Sequence, residues 1–169
     1  MIILGIDPGL AKTGCGIIRQ EKNRVKILAY GVISTRSGQP LAQRLRKIYE
    51  EIQDLCREYH PDVAVIEDIF FAANVKTAVA VAQARGVAIL ATEESGLELV
   101  EYSPLRIKQT IVGYGRASKR QVQEMVRVLL KLKEIPRPDH AADALAAALT
   151  HSFKIRPFHG RGVISKGKG

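Results

Sequence analysis

The sequence predicts an α/β fold in which helices cover both faces of a mixed five-stranded sheet. Apolar runs alternate with helical patterns in the order three strands, helix, strand, helix, strand and further helices. Short connections between the first three strands favour antiparallel neighbours, and helical crossovers around the last two favour parallel ones. The chain has 169 residues, of which 46% are hydrophobic, so one domain can form a core without disulfides.

Each predicted strand is an apolar run that is bounded by turn-forming residues. The first run ends at the turn Asp7-Pro8-Gly9, and the polar segment 21–24 connects the second and third strands as a hairpin. The run Val63–Ile66 is wholly apolar, which is typical of a central strand covered on both faces. The predicted strands are residues 2–6, 14–19, 25–35, 63–66 and 97–102.

Helical periodicity and capping residues place the helices between these strands. In the first helix, apolar residues recur at spacings of three and four, and His60-Pro61-Asp62 ends it. Ser118 is typical of a helix N-cap, and Asp139 is the predicted cap of the last helix. The predicted helices are residues 41–59, 75–92, a short helix from 104, 118–132 and 139–153.

The charge of the chain favours a polyanionic partner. Lys and Arg total 26 against 17 Asp and Glu, so the net charge is +9 and nucleic acid is the first candidate, although many proteins are simply basic. Cys15 and Cys56 form no motif and are expected to be reduced thiols in or near the core. No apolar run is long enough to span a bilayer, and the N-terminus lacks the pattern of a signal peptide, so we expect a cytoplasmic protein with no membrane partner.

We expect one folded domain over residues 1–153 and a basic arm at 154–169. The arm contains five Lys or Arg, several Gly and no acidic residue. This composition predicts a mobile terminal segment.

Acidic residues follow two of the predicted strands. Asp7 ends the first strand, where it could bind a metal or only organise the turn, and the motif alone favours neither interpretation. Glu67 ends the strand at 63–66, and Asp68 follows it. Because ligands bind at strand ends of open α/β sheets, one of these two is a candidate ligand, but the apolar run before them does not indicate which.

The last predicted helix carries a further acidic group. The segment 139–145 (DHAADAL) is rich in alanine, and His140 and Asp143 share one helix face because they lie three residues apart. A carboxylate such as Asp143 on a small, apolar face needs a partner or a metal.

Together, these carboxylates and the imidazole predict a metal-dependent nuclease. Carboxylate ligands select hard cations, so Mg²⁺ is the expected cofactor and Mn²⁺ is expected to substitute for it. Two ions about 4 Å apart can activate a water molecule and stabilise the leaving 3′-oxygen of a phosphodiester. The basic excess would bind the substrate's phosphates.

Several segments together resemble the RuvC family of bacterial Holliday-junction resolvases, over essentially residues 1–153. They occur in the family's order and spacing, which makes the match far more specific than the Asp-x-Gly turn alone. The resembling segments are 3–14 (ILGIDPGLAKTG), 64–71 (AVIEDIFF), 109–115 (QTIVGYG) with Lys119, and 139–145 (DHAADAL).

The resemblance implies a ribonuclease-H-like fold and a homodimer that cuts two opposed strands of a four-way DNA junction in recombination and repair. It also implies RuvA and RuvB as branch-migration partners. The family's acidic site corresponds to Asp7, Glu67, Asp143 and the position of His140, where many members have Asp and some have His. His140 could bind metal or act as an acid or base, and Asp139 is the fallback ligand.

Aromatic and basic residues are candidate DNA contacts. The resemblance implies that Phe70 stacks at the junction centre, and Phe71 is a second candidate, while both could instead belong to the core. Four cations lie in or near a glycine-containing loop that precedes a helix, where they could bind phosphate or only form a solvated charged face. These cations are Lys108, Arg116, Lys119 and Arg120.

The helix at 75–92 is the predicted dimer interface, with Ala82 and Ile89 as exposed positions. Apolar residues surround much of its circumference, more than one sheet face can cover, and its alanines would allow close approach of a second helix. The alternative is a helix buried within its own chain. The apolar residues are Val75, Ala78, Val79, Val81, Ala82, Val87, Ile89 and Leu90.

Parts of the sequence also fit functions other than junction cleavage. The turn at Asp7, followed by Thr13-Gly14, is also similar to the phosphate hairpin of actin- and Hsp70-like ATPases. That architecture needs two such domains and a second hairpin, for which this chain has neither room nor motif. A different ribonuclease-H-like nuclease, or an inactive nucleic-acid-binding module, is the remaining alternative.

Overall fold

The computed structural model describes residues 1–22, 24–68 and 75–155, and its elements follow the predicted order. The strands are β1 (Ile2–Asp7), β2 (Lys12–Glu21), β3 (Arg24–Ser34), β4 (Val63–Glu67) and β5 (Glu98–Tyr102). The helices are α1 (Leu41–Tyr59), α2 (Val75–Glu94), α3 (Pro104–Val112), α4 (Lys119–Leu129) and α5 (Asp139–Lys154).

The five strands form one mixed sheet in the order β3-β2-β1-β4-β5. β1 pairs antiparallel with β2, and β2 with β3, whereas β1 and β4, and β4 and β5, are parallel. This confirms the predicted sheet. Since Ile6 of β1 is the register partner of Ile66 of β4, the residues that end these strands, Asp7 and Glu67, meet at one edge of the sheet.

Alternation of side chains along β4 separates two cores. Val65 packs with α3, α4 and α5 on one face of the sheet, and Ile66 packs with α1 and α2 on the other. By the same alternation, Glu67 lies on the α5 face and Asp68 on the α2 face. Asp7 of β1 also lies on the α5 face, where it contacts that helix.

One side of α2 packs inward, and another side is exposed. Ala84 and Ala88 are fully buried, whereas Val79 is 53% exposed and Leu90 is 50% exposed. The expectation that Ile89 is exposed is wrong, because Ile89 is half-buried and packs against the core. The exposed α2 face consists of Val79, Ala82, Gly86 and Leu90.

The helix caps agree with the sequence at α4 and differ at α5. Ser118 caps α4, as predicted, and it forms a capping box with Gln121. The prediction that Asp139 caps α5 is wrong, because Pro138 occupies the cap position, without a side-chain hydrogen bond, and Asp139 is the first helical residue. The φ of proline, which its ring fixes, suits the extended backbone that this position adopts.

Other expectations concern the thiols, the membrane and the chain's end. Cys15 and Cys56 are buried and free, as predicted. Within the described ranges, no helix combines the length and apolar character needed to cross a membrane. Positions 156–169 lie outside the described residues, so the division into a domain at 1–153 and a basic arm at 154–169 stays a prediction.

Candidate metal centre

The end of β1 and the start of α5 bring three potential metal ligands together. Asp7, His140 and Asp143 each offer a ligand atom, and these atoms all lie within 4.8 Å of one another. The Nδ1 atom of His140 is 2.7 Å from the Oδ2 atom of Asp7. All three residues are half-buried, so solvent reaches part of the cluster.

Glycines in the sheet allow α5 to lie close enough to form this cluster. A Cβ atom at Gly5 would lie 2.0 Å from the carbonyl oxygen of Ala144, and one at Gly14 would lie 1.9 Å from that of His140. A larger residue at either glycine would therefore displace the helix that carries His140 and Asp143. The helix side of the contact consists of buried alanines, among them Ala141, Ala142, Ala144, Ala146, Ala147 and Ala148.

Glu67 adds a carboxylate beside the cluster but lies outside the group within 4.8 Å. It lines a cavity of about 250 Å³ together with Lys108, Lys119 and Asp143. Burial, and then the negative charges of Asp7 and Asp143, raise the pKa of Glu67 to about 7. A cation in this space would stabilise the charged form of every carboxylate around it.

The structure decides which of the two adjacent acids faces the site. Asp68 lies on the α2 face, where its Oδ1 atom is 3.6 Å from the Nη2 atom of Arg85 and its side chain is 54% exposed. Glu67, on the α5 face, is the acid directed at the cluster, which the apolar sequence of β4 could not indicate.

Cationic groups contact two of the site carboxylates. The Nζ atom of Lys119 lies 2.8 Å from the Oδ2 atom of Asp143. Burial raises the pKa of Asp143, while Lys119 acts in the opposite direction. The hydrogen bond with Asp7 raises the pKa of His140 and so favours its protonated form. A bound divalent cation would compete with this proton and with the ammonium group.

The donor set fits a hard or borderline divalent cation. Carboxylate oxygens suit both Mg²⁺ and Mn²⁺, and an imidazole nitrogen suits Mn²⁺ better. Asp139, the fallback ligand, is not part of the cluster. Its side chain is 64% exposed, and its Oδ2 atom lies 3.9 Å from the Nζ atom of Lys119.

The four predicted phosphate-binding cations fall into two groups. Lys119, the first residue of α4, contacts the site carboxylate of Asp143, and Lys108 of α3 lines the same cavity. Arg116 and Arg120 are exposed, one before α4 and one in its first turn. The two lysines therefore lie beside the acidic cluster and are also candidate DNA contacts.

With this geometry established, comparison with known proteins decides the family. The family model described as crossover junction endodeoxyribonuclease RuvC matches residues 3–151. The chain belongs to the RuvC family. The RuvC of Rubrobacter xylanophilus is 51% identical over 162 residues, which cover 96% of this chain and 90% of that relative. The RuvC of Alkaliphilus oremlandii is 53% identical over 152 residues, covering 90% and 93% respectively.

Solved RuvC structures confirm the ribonuclease-H-like fold. The structure of Thermus thermophilus RuvC is 36% identical and matches with a TM-score of 0.86, covering 92% of this chain and 96% of that one. The same protein in complex with a Holliday junction substrate matches with a TM-score of 0.87, covering 92% and 95%.

Two predicted DNA contacts lie outside the described residues, and two glycines at the site were not predicted from the sequence. Phe70, which the RuvC resemblance assigns to the junction centre, and Phe71, the second candidate, lie outside the described residues, so their roles stay predictions. Conversely, sequence reasoning missed Gly5 and Gly14. A strand with glycine at positions that face an alanine-rich helix is the pattern that would have indicated their close contact.

Proposed function

We propose that this chain resolves Holliday junctions by metal-dependent hydrolysis of phosphodiesters in two opposed strands, during DNA recombination and repair. The observation that carries the proposal is the cluster of Asp7, His140 and Asp143 within 4.8 Å, with Glu67 beside it. The structure of a relative, Thermus thermophilus RuvC, in complex with a Holliday junction substrate supports the choice of DNA.

The proposed cofactor is Mg²⁺, with Mn²⁺ able to replace it and two ions in each site. Asp7, Glu67, His140 and Asp143 would hold these ions, which when bound would activate a water molecule and stabilise the leaving 3′-oxygen. Asp7 and Glu67 end the neighbouring strands β1 and β4, and α5 carries the other two side chains. Asp7 orients the ring of His140 through Nδ1. The raised pKa of His140 favours the protonated ring, which must release a proton before it can bind metal. An acid or base role for His140 is the alternative.

The cations around the site are proposed to bind the DNA backbone. Lys119 is held by Asp143 at 2.8 Å and is about half exposed, so it can exchange this partner for a substrate phosphate when metal neutralises the carboxylate. Lys108 contributes a second ammonium group from the cavity wall. Arg116 and Arg120 would contact flanking phosphates, aided by the N-terminus of α4.

The proposed enzyme is a homodimer that uses the exposed α2 face as its interface. A four-way junction presents two equivalent strands, and a two-fold dimer supplies two sites for paired cuts. Val79 and Leu90 provide apolar area, and Ala82 and Gly86 between them permit close approach of a second helix. RuvA and RuvB as branch-migration partners, and the cytoplasm as the site of action, are part of the same proposal.

A substrate comparison tests the proposed function. The chain is incubated with Mg²⁺ and a four-way junction, a linear duplex or an RNA–DNA hybrid of the same sequence. We expect paired cuts in the junction alone, and none with a chelator. Equal cutting of the hybrid or the duplex would identify another ribonuclease-H-like nuclease, and binding without cutting would identify an inactive DNA-binding module.

A further inference from the structure

Arg85 connects α2 to the ends of two strands that border the metal centre. Its Nη2 atom forms an ion pair with Glu101 of β5 and lies 3.6 Å from the Oδ1 atom of Asp68, which follows β4. Only 17% of the Arg85 side chain is exposed, although its partners are about half exposed. This cation and its two acids lie on the α2 face, opposite the metal ligands.

The position of Asp68 determines the orientation of Glu67. The backbone N–H of Asp68 donates a hydrogen bond of 2.9 Å to the carbonyl oxygen of Tyr102, so the ladder between β4 and β5 continues through this residue. Because successive side chains of a strand face opposite sides, Asp68 on the α2 face requires Glu67 on the α5 face. A slip or rotation at this end of β4 would exchange the two carboxylates.

We propose that Arg85 is a positioning residue that selects Glu67, rather than Asp68, as the metal-facing carboxylate. The inference rests on the proposed function, since it takes Glu67 as a metal ligand. Both carboxylates lie against the Nη2 atom of Arg85. The planar, rigid guanidinium group holds this charge between the two strands, which the flexible side chain of lysine does less well.

The experiment measures Mn²⁺ affinity by electron paramagnetic resonance without DNA, and junction cutting at saturating Mn²⁺. Arg85→Met removes the cation but keeps the length of the side chain, and Arg85→Lys keeps only its charge. Arg127→Met is the matched control, because Arg127 also pairs with a glutamate, Glu124, but within one helix. Thermal melting of each variant verifies that it is folded.

Arg85→Met is expected to weaken Mn²⁺ binding about tenfold and to slow cutting at saturating metal, because the orientation of Glu67 toward the metal would be lost. Junction binding in chelator should stay unchanged, Arg85→Lys should fall between Arg85→Met and the wild type, and Arg127→Met should match the wild type. Wild-type Mn²⁺ affinity and cutting in Arg85→Met, or equal losses in Arg127→Met, would overturn the proposal.

Further variants cover a failure of Arg85→Met to fold and separate this inference from the proposed function. If Arg85→Met does not fold, Arg85→Lys and Glu101→Gln are used instead, and normal Mn²⁺ affinity in both would refute the role of Arg85. Glu67→Gln is measured alongside them. Loss of Mn²⁺ affinity in Glu67→Gln with none in the Arg85 variants would contradict only this inference, whereas no loss in Glu67→Gln would contradict the proposed ligand set itself.

Discussion

The Nδ1 atom of His140 lies 2.7 Å from the Oδ2 atom of Asp7, although the two residues are 133 positions apart in the chain. This contact joins the last helix to the first strand at the edge where the candidate ligands meet. Since the same hydrogen bond raises the pKa of His140, a proton and a metal ion compete for this pair.

The first prediction is that metal affinity rises with pH. Glu67 has a pKa of about 7, so below that pH a metal must displace its proton, and the raised pKa of His140 acts in the same direction. Each displaced proton should change the apparent Mn²⁺ affinity about tenfold per pH unit. Calorimetric titrations on both sides of neutrality check this, with a smaller slope expected for Glu67→Gln. An affinity independent of pH would contradict it.

The same pKa shifts predict how pH affects the metal-free protein. The pKa of Glu67 rises from 4.5 to about 7, so between these values the folded state holds a proton that the unfolded chain has lost. His140, with its raised pKa, likewise contributes stability at low pH that is lost as pH rises through its folded pKa. The free energy of unfolding should therefore fall with rising pH in this window, and bound metal should oppose the fall.

The contact of Gly14 with α5 gives the second prediction. Gly14→Ala places a Cβ atom 1.9 Å from the carbonyl oxygen of His140, so α5 must shift. We expect a loss of about 1–3 kcal/mol or more in the free energy of unfolding, together with weaker Mn²⁺ binding. Gly31→Ala on β3 is the control, because no heavy atom lies within 4 Å of its added Cβ. Denaturant unfolding that shows equal stability for both variants would refute this packing argument.

The third prediction concerns the exposed α2 face, which is the proposed dimer interface. Val79→Glu combined with Leu90→Glu places two charges on this face and should yield a folded monomer in sedimentation experiments. The monomer should no longer make paired cuts within one junction lifetime. Val128→Glu is a matched control, because Val128 is 55% exposed but lies on α4. A monomeric wild type at working concentration, with and without DNA, would disprove this interface.

Phe70 and Phe71 give the fourth prediction, which separates DNA stacking from core packing. If a residue stacks on unpaired bases, its change to Ala should weaken the free energy of junction binding by about 1–3 kcal/mol. If the phenylalanine belongs to the core, its change to Ala should instead lower the free energy of unfolding by about 3–5 kcal/mol. Melting temperature and junction affinity are measured for both Ala variants. We expect at least one to bind the junction more weakly with an unchanged melting temperature.

Local patterns in the sequence were sufficient for the sheet and for most of the site. The lengths of the connections predicted which strands are antiparallel. The position of Asp143 in an alanine-rich helix predicted that this carboxylate needs a partner, and Lys119 contacts it. The sequence could not choose between Glu67 and Asp68, because both faces of β4 are apolar and the choice depends on Arg85, a partner distant in sequence. Similarly, the burial of Ile89 depends on how α2 packs against the core.

The central claim is that Asp7, Glu67 and Asp143 hold the metal that cuts the junction, and rates of junction cleavage by their isosteric variants test it most directly. Asp7→Asn, Glu67→Gln and Asp143→Asn should each abolish cleavage in Mg²⁺. Junction affinity should persist, since lysine and arginine side chains bind the backbone. Cleavage by any of the three at near wild-type rates in Mg²⁺ would contradict the account.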